Sequence, residues 1–480
     1  MLIVKELLDY IKYLKEKTLI FFYWWDYPQF LFFDKYKEKN QTKIITIIKK
    51  VFKNLDNSDS FGLYVHLPFC NKKCRFCGFY SEINRNNLID DYIDSIEKEI
   101  NWYKKIKVDF KKIKFSSIYL GGGTPTLLSS VQLERLLKLL FKNFKFLNKS
   151  QRTTEGTPES LTENKIKILE KFGFNRFTLG VQSFNNDILK KYNRNSSLKE
   201  ILKTYKLLKK SKIKYINIDM MLGLKGENKS VYDNYLKYIK KLAPDQISFE
   251  ILSPEASQIF SKKEKREMIH KVHEMEFFLF FYITKKMGKI GYQNLGNKDR
   301  CYYFIKKQRL SHNVINYQIT NHRKSFYPVL ALGQGGNSKL FTSSGKLISI
   351  NNTTISIQDY VHKLKENSLN KIAHIYPRID VLRSFLIFNF NFYGIAKIDI
   401  INNFFKNDVL IEFKNIFQPL LKDKMIEIKK GNLILLDNYK KLSKNYNLTE
   451  REKYFFFVVN YLYPQKIHEK IRNIIIKKKT

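Results

Sequence analysis

Three of the four cysteines of this chain lie within eight residues, as Cys70, Cys74 and Cys77 in the segment CNKKCRFC, and no other feature constrains the sequence as strongly. Thiols at spacings of four and three do not form a relaxed set of disulfides, but a loop can turn all three toward one point. The spacing therefore predicts a metal ion or a metal cluster.

Two kinds of metal site and one structural alternative are compatible with this trio. A structural zinc ion needs a fourth ligand, and the nearest candidate is His66, which alternation in YVHLPF places on one face of a strand. A cube of four irons held by three thiolates instead leaves one iron open to a small molecule. An unliganded structural loop is the third interpretation. Of the three, the spacing favours the cluster.

Short apolar segments alternate with longer amphipathic ones between about residues 62 and 250, which is typical of β–α units around a parallel sheet. The predicted strands are 63–67, 117–120, 152–155, 176–180, 215–221 and 246–252. The predicted helices are 87–104, 130–141, 162–172, 186–192, 198–210 and 230–241. Ligands of parallel barrels gather at the carboxyl ends of strands, so we expect the functional residues there.

The cysteine loop and its flanks resemble a known family. CxxxCxxC directly after a strand is similar to the signature of the radical S-adenosylmethionine (SAM) enzymes. The longer segment LYVHLPFCNKKCRFCGFYS resembles more narrowly the oxygen-independent coproporphyrinogen III oxidases and their relatives, the haem chaperones and the anaerobic haem-degrading enzymes. The resemblance implies an α/β fold, a partial (β/α)6 radical SAM barrel with an N-terminal helical extension and a small α+β C-terminal domain. It also implies a 4Fe–4S cluster on Cys70, Cys74 and Cys77, and SAM as the second cofactor.

The resemblance further assigns residues at strand ends to SAM. The run GGGTP after the second strand matches the glycines that receive the amino and carboxylate end of SAM, at Gly122, Gly123 and Thr124. The other implied contacts are Tyr64 beside the cluster, Glu155, Gln182, Arg194, Asp219 and Ser253. Taken alone, each of these fits a tight turn, a helix cap or a surface position; together, in the family's order, they favour a cofactor site. No catalytic residue beyond the cluster is assigned.

The substrate implied by the resemblance is a tetrapyrrole. The oxidases carry a further Cys two residues after the last cluster ligand, and Phe79 in that position favours a haem chaperone or a haem-degrading enzyme. A long leader over residues 1–60, with a Tyr-Pro element at 27–28, favours the oxidase. The first interpretation is therefore an oxidoreductase that converts coproporphyrinogen III propionates to vinyl groups, with an electron donor such as flavodoxin or ferredoxin. Haem delivery to apoproteins and haem degradation are the alternatives.

The sequence divides into four predicted regions. These are an N-terminal extension (1–60), the radical SAM core (61–260), a barrel-flanking substrate region (261–375) and a winged-helix-like and helical domain (376–480). In the third region, Gly335 and Gly336 are interpreted either as a close approach to substrate or as a simple turn.

Charge and hydropathy give weaker indications. The 87 Lys and Arg against 45 Asp and Glu leave a formal charge of +42, but Lys is spread over the whole length without a nucleic-acid-binding motif, so no nucleic acid partner is expected. The apolar run at 18–25 is far shorter than the roughly 20 residues that a membrane span needs. The N-terminus has no cleavage site of the secretory type. We therefore expect a cytoplasmic protein without a membrane span.

Overall fold

The computed structural model describes residues 9, 36–54, 60–83, 85–254, 257, 259–298, 301–309, 327–438 and 457–462. In chain order the strands are β1 (Lys37–Glu38), β2 (Ser60–Leu67), β3 (Phe69–Cys70), β4 (Glu82–Ile83), β5 (Lys114–Gly122), β6 (Lys145–Gly156), β7 (Arg176–Gln182), β8 (Tyr215–Leu222), β9 (Gln246–Ile251), β10 (Tyr292–Lys298), β11 (Cys301–Lys306), β12 (Val329–Leu332), β13 (Asn337–Phe341), β14 (Leu347–Asn352), β15 (Lys371–Tyr376), β16 (Ile395–Lys397), β17 (Ile426–Lys429) and β18 (Asn432–Leu435). The α-helices are α1 (Gln41–Lys53), α2 (Ile89–Lys105), α3 (Ser130–Asn143), α4 (Glu163–Lys171), α5 (Asn186–Lys191), α6 (Leu198–Lys210), α7 (Lys229–Leu242), α8 (Lys262–Lys289), α9 (Ile357–Lys365), α10 (Arg378–Tyr393), α11 (Ile398–Phe405), α12 (Val409–Glu412) and α13 (Lys414–Lys422).

The described strands include a 13-stranded sheet in the order β1-β15-β14-β13-β12-β2-β5-β6-β7-β8-β9-β11-β10. The run from β12 to β9 is parallel throughout. Antiparallel strands extend it on both sides. The six predicted strands correspond to β2 and β5–β9, and the six predicted helices to α2–α7. The carboxyl ends of these parallel strands therefore meet at one edge of the sheet.

The helices cover the sheet with apolar faces of helical period. In α3 the buried residues are Leu133, Leu136, Leu137 and Leu140, spaced so that all four point to one side. Burying each such side chain contributes about 1.5–3 kcal/mol. Ser129 starts the helix in a capping box. Local pattern and packing thus agree, which is why these elements were predictable.

The C-terminal part has a core of its own. A three-stranded sheet, β16-β18-β17, packs with α10–α13 and with the described residues 457–462 around a second apolar cluster. The sequence predicted two helices and a hairpin here. The structure instead ends α10 at Gly394, whose left-handed φ of 65° starts the additional strand β16, and it divides the following helical stretch into α11–α13. The division of the chain into regions that end at residues 260 and 375 stays a prediction.

The described part of the N-terminal extension consists of β1, which pairs with β15, and of α1, which buries Ile44, Ile48 and Val51. Residues 1–8 and 10–35, including the Tyr-Pro element, lie outside the described residues. Within the described part of the chain, no helix is both long enough and apolar enough to cross a bilayer.

Candidate cofactor site

The predicted site residues lie toward the carboxyl-terminal edge of the parallel strands. In chain order they are Tyr64 in β2, Gly122 at the end of β5 with Gly123 and Thr124 after it, Glu155 in β6, Gln182 at the end of β7, Arg194 between α5 and α6, Asp219 in β8 and Ser253 just after β9. The strand register places Tyr64 opposite Tyr119, and Asp219 opposite Gly180. The topology thus brings residues from distant parts of the sequence to one side of the sheet.

The three cysteines lie in a loop that leaves this edge directly after β2. Cys70 belongs to β3, which pairs with β4 at the other end of the loop. All three thiols are half-buried and free of disulfides. The ammonium of Lys73 holds the loop from inside, because it donates to the carbonyl of Phe79 at 2.6 Å and to Ser81 Oγ at 2.8 Å. The loop is therefore a closed, internally bonded turn that presents its thiols together.

Burial has the largest effect on the pKa of two of these thiols, Cys70 and Cys77. It raises the pKa of Cys70, and it raises the pKa of Cys77 to about 11 while the charge of nearby Lys73 opposes the shift. The other two cysteines add to the shift at Cys77, so the three sulfurs lie within electrostatic range of one another. A positive metal centre would reverse this balance, because a coordinating thiol is deprotonated.

The outer side of the loop is fixed by Arg75. Its amide donates to the carbonyl of Tyr192 at 3.2 Å, and its guanidinium donates to Glu264 at 2.5 Å. The guanidinium also lies 5.3 Å from the ring centroid of Phe260. The cysteine loop is thus attached to α8 and to the end of α5.

The turn at residues 121–124 touches the cysteine loop. Gly123 N donates to the carbonyl of Leu67 at 2.9 Å, and Thr124 N donates to that of Phe69 at 2.8 Å. The hydroxyl of Thr124 lies 3.7 Å from Cys70 Sγ. A Cβ on Gly123 would lie 2.6 Å from the carbonyl oxygen of Phe69, so only glycine permits this approach. Cysteine loop and glycine turn therefore form one surface.

Two half-buried carboxylate residues lie behind the turn. Glu155 accepts from Gly122 N at 2.9 Å and from the hydroxyl of Tyr119 at 2.7 Å, while Asp219 accepts from Asn217 at 2.6 Å. Burial raises the pKa of Glu155 to about 7 and that of Asp219 to about 6, and the Asp219 charge adds to the shift at Glu155. Each is therefore stabilised in its ionised form by any ligand that brings hydrogen-bond donors to it.

Arg194 joins this carboxylate region to the cysteines. Its guanidinium donates to the carbonyl of Gly180, and Nη1 lies 3.5 Å from Cys74 Sγ. Nε is buried and has no hydrogen-bond partner among the described residues. Gln182 lies close by in a left-handed conformation, with φ 67°, which is uncommon outside glycine. An unpaired buried donor of this kind is costly unless a ligand satisfies it.

His66 is the candidate fourth zinc ligand, but both of its ring nitrogens have hydrogen-bond partners within the protein. The hydroxyl of Tyr64 lies 2.8 Å from Nδ1, and the carbonyl of Tyr80 lies 3.1 Å from Nε2. Burial lowers the pKa of His66 to about 4, so the ring is neutral near pH 7. Within the described ranges, no three His, Cys, Asp or Glu side chains are arranged around a single ion. A 4Fe–4S cube is wider than one ion, so the thiolates that hold it stand farther apart than zinc ligands do.

Comparison with known proteins decides the family of the core. Residues 64–239 match the sequence model of the Radical SAM superfamily. The chain contains a radical SAM domain. The matched residues include the cysteine loop, the 121–124 turn, Glu155, Arg194 and Asp219.

The curated relatives include haem chaperones and oxygen-independent coproporphyrinogen III oxidases. The chain is 34% identical over 204 residues to the haem chaperone HemW of Buchnera aphidicola subsp. Schizaphis graminum, which covers 42% of this chain and 53% of the relative. It is 30% identical to the haem chaperone HemW of Lactococcus lactis, over 48% of this chain and 59% of the relative. It is also 34% identical to the oxygen-independent coproporphyrinogen III oxidase of Escherichia coli, over 39% of this chain and 40% of the relative. The chain thus spans 53% and 59% of the length of these two haem chaperones and 40% of that of the oxidase.

A solved structure extends the similarity in fold. The coproporphyrinogen III oxidase HemN of Escherichia coli, described as a radical SAM enzyme, superposes with a TM-score of 0.65 over 91% of this chain and 96% of its own, at 21% identity. This confirms the predicted fold class, an α/β radical SAM partial barrel with a separate small sheet. The predicted family resemblance is likewise confirmed.

The radical SAM domain carries the cofactors of its superfamily, a 4Fe–4S cluster and SAM. The residues present fit them, because three thiols share one loop and the buried Nε of Arg194 lacks a partner among the described residues. Which residue contacts which cofactor atom stays a prediction. The structure brings the predicted residues from Tyr64 to Asp219 together, and it places Ser253 in a half-buried position just after β9.

Sequence reasoning missed several residues that shape the radical SAM site. Tyr119 holds one oxygen of Glu155, and Tyr64 stacks on its ring at 6.0 Å. The alternation of side chains in β5 could have identified Tyr119, because it places this residue on the same face of the strand as Gly121. The carbonyl of Tyr80 lies 3.1 Å from Nε2 of His66, a backbone contact that leaves no mark in the sequence, and its ring stacks on the imidazole at 6.1 Å.

Proposed function

We propose that this chain is a radical SAM enzyme that acts on a tetrapyrrole, converting propionate side chains of coproporphyrinogen III to vinyl groups with loss of carbon dioxide. The observation that carries the proposal is the direct attachment of the cysteine loop to the glycine turn, through Gly123 N, Thr124 N and the contact of Thr124 with Cys70. A cluster held by the loop and a small molecule held by the turn would therefore be neighbours.

Cys70, Cys74 and Cys77 would hold the 4Fe–4S cluster and leave one iron open. When bound, the cluster and SAM together supply a 5′-deoxyadenosyl radical that abstracts hydrogen from an unactivated carbon. The protein's contribution is a cysteine loop that its own side chains hold in place. Lys73 and Arg75 hold the loop at its inner and outer sides, so that the thiols keep their mutual positions before a cluster is present.

The 121–124 turn would receive the amino-acid end of SAM, because glycines there let the ligand approach the backbone. The free N–H of Arg194 would donate to an anionic oxygen beside Cys74. Glu155 and Asp219 accept hydrogen bonds from neighbouring donors, and a ribose diol supplies further donors of this kind. Tyr64 of β2 packs its ring on that of Tyr119 and so bounds the proposed SAM site on this side.

A tetrapyrrole substrate is supported by the relatives, which include enzymes and chaperones named for coproporphyrinogen and haem. Both molecules carry propionates, and a chain of net charge +42 attracts anions from solution. The proposed electron donor is a flavodoxin or a ferredoxin.

A second candidate function is haem delivery to apoproteins, and Phe79 favours it. This residue stands where the oxidases carry a further Cys, and its side chain is 62% exposed on the outside of the cysteine loop. The matched haem chaperones add support. In this case the same domain would bind haem and release it unchanged.

Anaerobic reconstitution with iron, sulfide, SAM and a reductant tests the proposal. Coproporphyrinogen III and haem are then offered separately, and products are analysed by mass spectrometry. We expect vinyl products from coproporphyrinogen III. Stoichiometric haem uptake without a product would favour the carrier, and an opened haem ring would favour haem degradation. A colourless protein that holds only zinc would refute all three.

A further inference from the structure

A buried ion pair outside the cofactor site joins four elements of the fold. Glu99 of α2 and Lys371 at the start of β15 form a salt bridge, with side chains 1% and 2% exposed. The other carboxylate oxygen of Glu99 accepts from Tyr360 of α9 at 2.7 Å and from Gly333 N at 2.8 Å. Lys371 also donates to Asn352 at 2.6 Å. The pair is therefore fully bonded.

The charges of this pair hold each other ionised. Burial alone would raise the pKa of Glu99 and lower that of Lys371. The partner's charge and the surrounding hydrogen bonds outweigh burial, so the pKa of Glu99 is lowered and that of Lys371 is raised. Buried ion pairs often stabilise a protein little in comparison with apolar side chains of similar size. Stability alone therefore does not account for the ion pair. The hydrogen bond that Gly333 N donates to Glu99 indicates a second role, in holding the backbone at Gly333.

Gly333 begins the loop of residues 333–336 between β12 and β13. Its φ is 90°, and a Cβ there would lie 2.5 Å from the hydroxyl of Tyr92 and 2.6 Å from the carbonyl oxygen of His66. The same hydroxyl donates to that carbonyl at 2.8 Å and accepts from Gln334 N at 2.8 Å. Glu99 and Tyr92 thus bind the first two amides of the loop and dock it on β2.

The far side of the loop reaches the imidazole of His66. A Cβ on Gly335 would lie 3.0 Å from Nε2 of His66, and a Cβ on Gly122 would lie 2.9 Å from Cε1. The imidazole is therefore held between two glycine segments, one in the 333–336 loop and one in the 121–124 turn. A shift of the first segment would remove one of the two glycine contacts that confine the ring beside the second.

We propose that Glu99, paired with Lys371, is a positioning residue for SAM binding: it anchors the 333–336 loop, which packs His66 against Gly122. This inference rests on the proposed binding of SAM by the 121–124 turn. The path runs through one hydrogen bond to Gly333 N and two van der Waals contacts of His66. Glu99 itself does not contact the cysteine loop or the turn in any described interaction.

Two double variants separate positioning from simple stabilisation. Glu99→Ala/Lys371→Met and Glu99→Gln/Lys371→Met both remove the ion pair without leaving an unpaired charge. The glutamine variant alone keeps a carbonyl oxygen that accepts from Gly333 N. Lys365→Met is the matched control, because it removes an exposed ion pair of 3.1 Å between α9 and α2, the helix that also carries Glu99.

SAM binding to the reconstituted proteins is measured by equilibrium dialysis and by the change in the cluster's electron paramagnetic resonance spectrum. Hydrogen exchange of the segment 329–341 is measured on the metal-free proteins. We expect the alanine double variant to bind SAM about tenfold more weakly, as for one lost buried hydrogen bond, and to exchange faster in this segment. The glutamine double variant and the control should stay within about threefold of the parent.

Equal SAM affinity in the two double variants, or equal exchange, would overturn the inference, since a structural role of the pair alone affects both alike. A parent protein with a cluster that binds no SAM would instead overturn the proposed function, and the link to SAM with it. In that case, hydrogen exchange of the segment 329–341 still shows whether Glu99 holds the 333–336 loop.

Discussion

Substitution of Gly122 by alanine tests the central contact of the site. Gly122 has a φ of 118°, a conformation that side-chain-bearing residues rarely adopt, and an alanine Cβ would lie 2.9–3.0 Å from three atoms of the His66 ring. Two separate penalties therefore apply, one from the backbone and one from the collision. The ring cannot retreat freely, because Gly335 confines it on the other side.

The expected cost follows from these two contributions. Holding a non-glycine residue in such a backbone conformation costs about 1–3 kcal/mol. Forcing a methyl group into a closely packed site costs a similar amount, about 1–3 kcal/mol. Gly122→Ala should therefore lower the free energy of unfolding by about 2–6 kcal/mol and displace the 121–124 turn from the position proposed for SAM.

Urea unfolding of the metal-free protein measures this change, and Gly288→Ala is the control. Gly288 lies in α8 with nothing within 4 Å of its added Cβ, so alanine there should raise stability by about 0.5–1 kcal/mol. Combining Gly122→Ala with His66→Ala removes the collision but not the backbone strain. The double-mutant cycle should thus show a favourable coupling of about 1–3 kcal/mol. Strict additivity of the two substitutions would refute the packing described for His66.

Four further expectations follow from the same contacts. Cys74→Ala should abolish cluster assembly, and full iron content with the brown chromophore would contradict the ligand assignment. Because burial raises the pKa of Glu155 from 4.5 to about 7, the folded state holds its proton more tightly, so stability should fall by up to about 3 kcal/mol as pH rises from 4.5 to 7. Unfolding curves for Glu155→Gln should lose this contribution and keep that of Asp219, whose pKa burial also raises, and an unchanged slope would assign all of it to other groups. Lys371→Met leaves a buried carboxylate unpaired and should cost about 3–5 kcal/mol in thermal or urea unfolding; a loss below 1 kcal/mol would speak against a charged pair. Phe79→Ser should change stability by no more than about 0.5 kcal/mol, since the side chain is 62% exposed, and a larger loss would mean that Phe79 is packed.

The sequence predicted the elements whose signals are local. Each strand from β2 to β9 in the parallel run and each helix from α2 to α7 carries its own apolar period, so their order and approximate bounds followed without any tertiary information. The cysteine spacing and the glycine turn are local signals as well. Their neighbourhood followed from topology, because carboxyl ends of parallel strands share one edge.

Contacts between distant segments were not predictable in the same way. Strand β12 pairs in parallel with β2, although more than two hundred residues separate them, and its four residues carry no periodic signal of their own. Glu99 and Lys371 look like two ordinary charges of surface helices and strands until the fold buries them together. The spacing of His66 from Cys70 suggested a metal ligand, but spacing alone does not show that Tyr64 and the carbonyl of Tyr80 occupy both ring nitrogens.

The partners of His66 define its tautomer and its role. A carbonyl oxygen only accepts hydrogen bonds, so Nε2 must carry the proton that faces Tyr80, and Nδ1 of the neutral ring then accepts from Tyr64. The lowered pKa of His66 keeps the ring in this neutral form near pH 7. The imidazole thus links β2 to the cysteine loop through hydrogen bonds, while its faces and edge pack against Gly122 and Gly335. A side chain that satisfies both hydrogen bonds and fills both glycine contacts has no nitrogen left for a metal, which explains why the histidine beside the cysteine trio shapes the site instead of serving as a ligand.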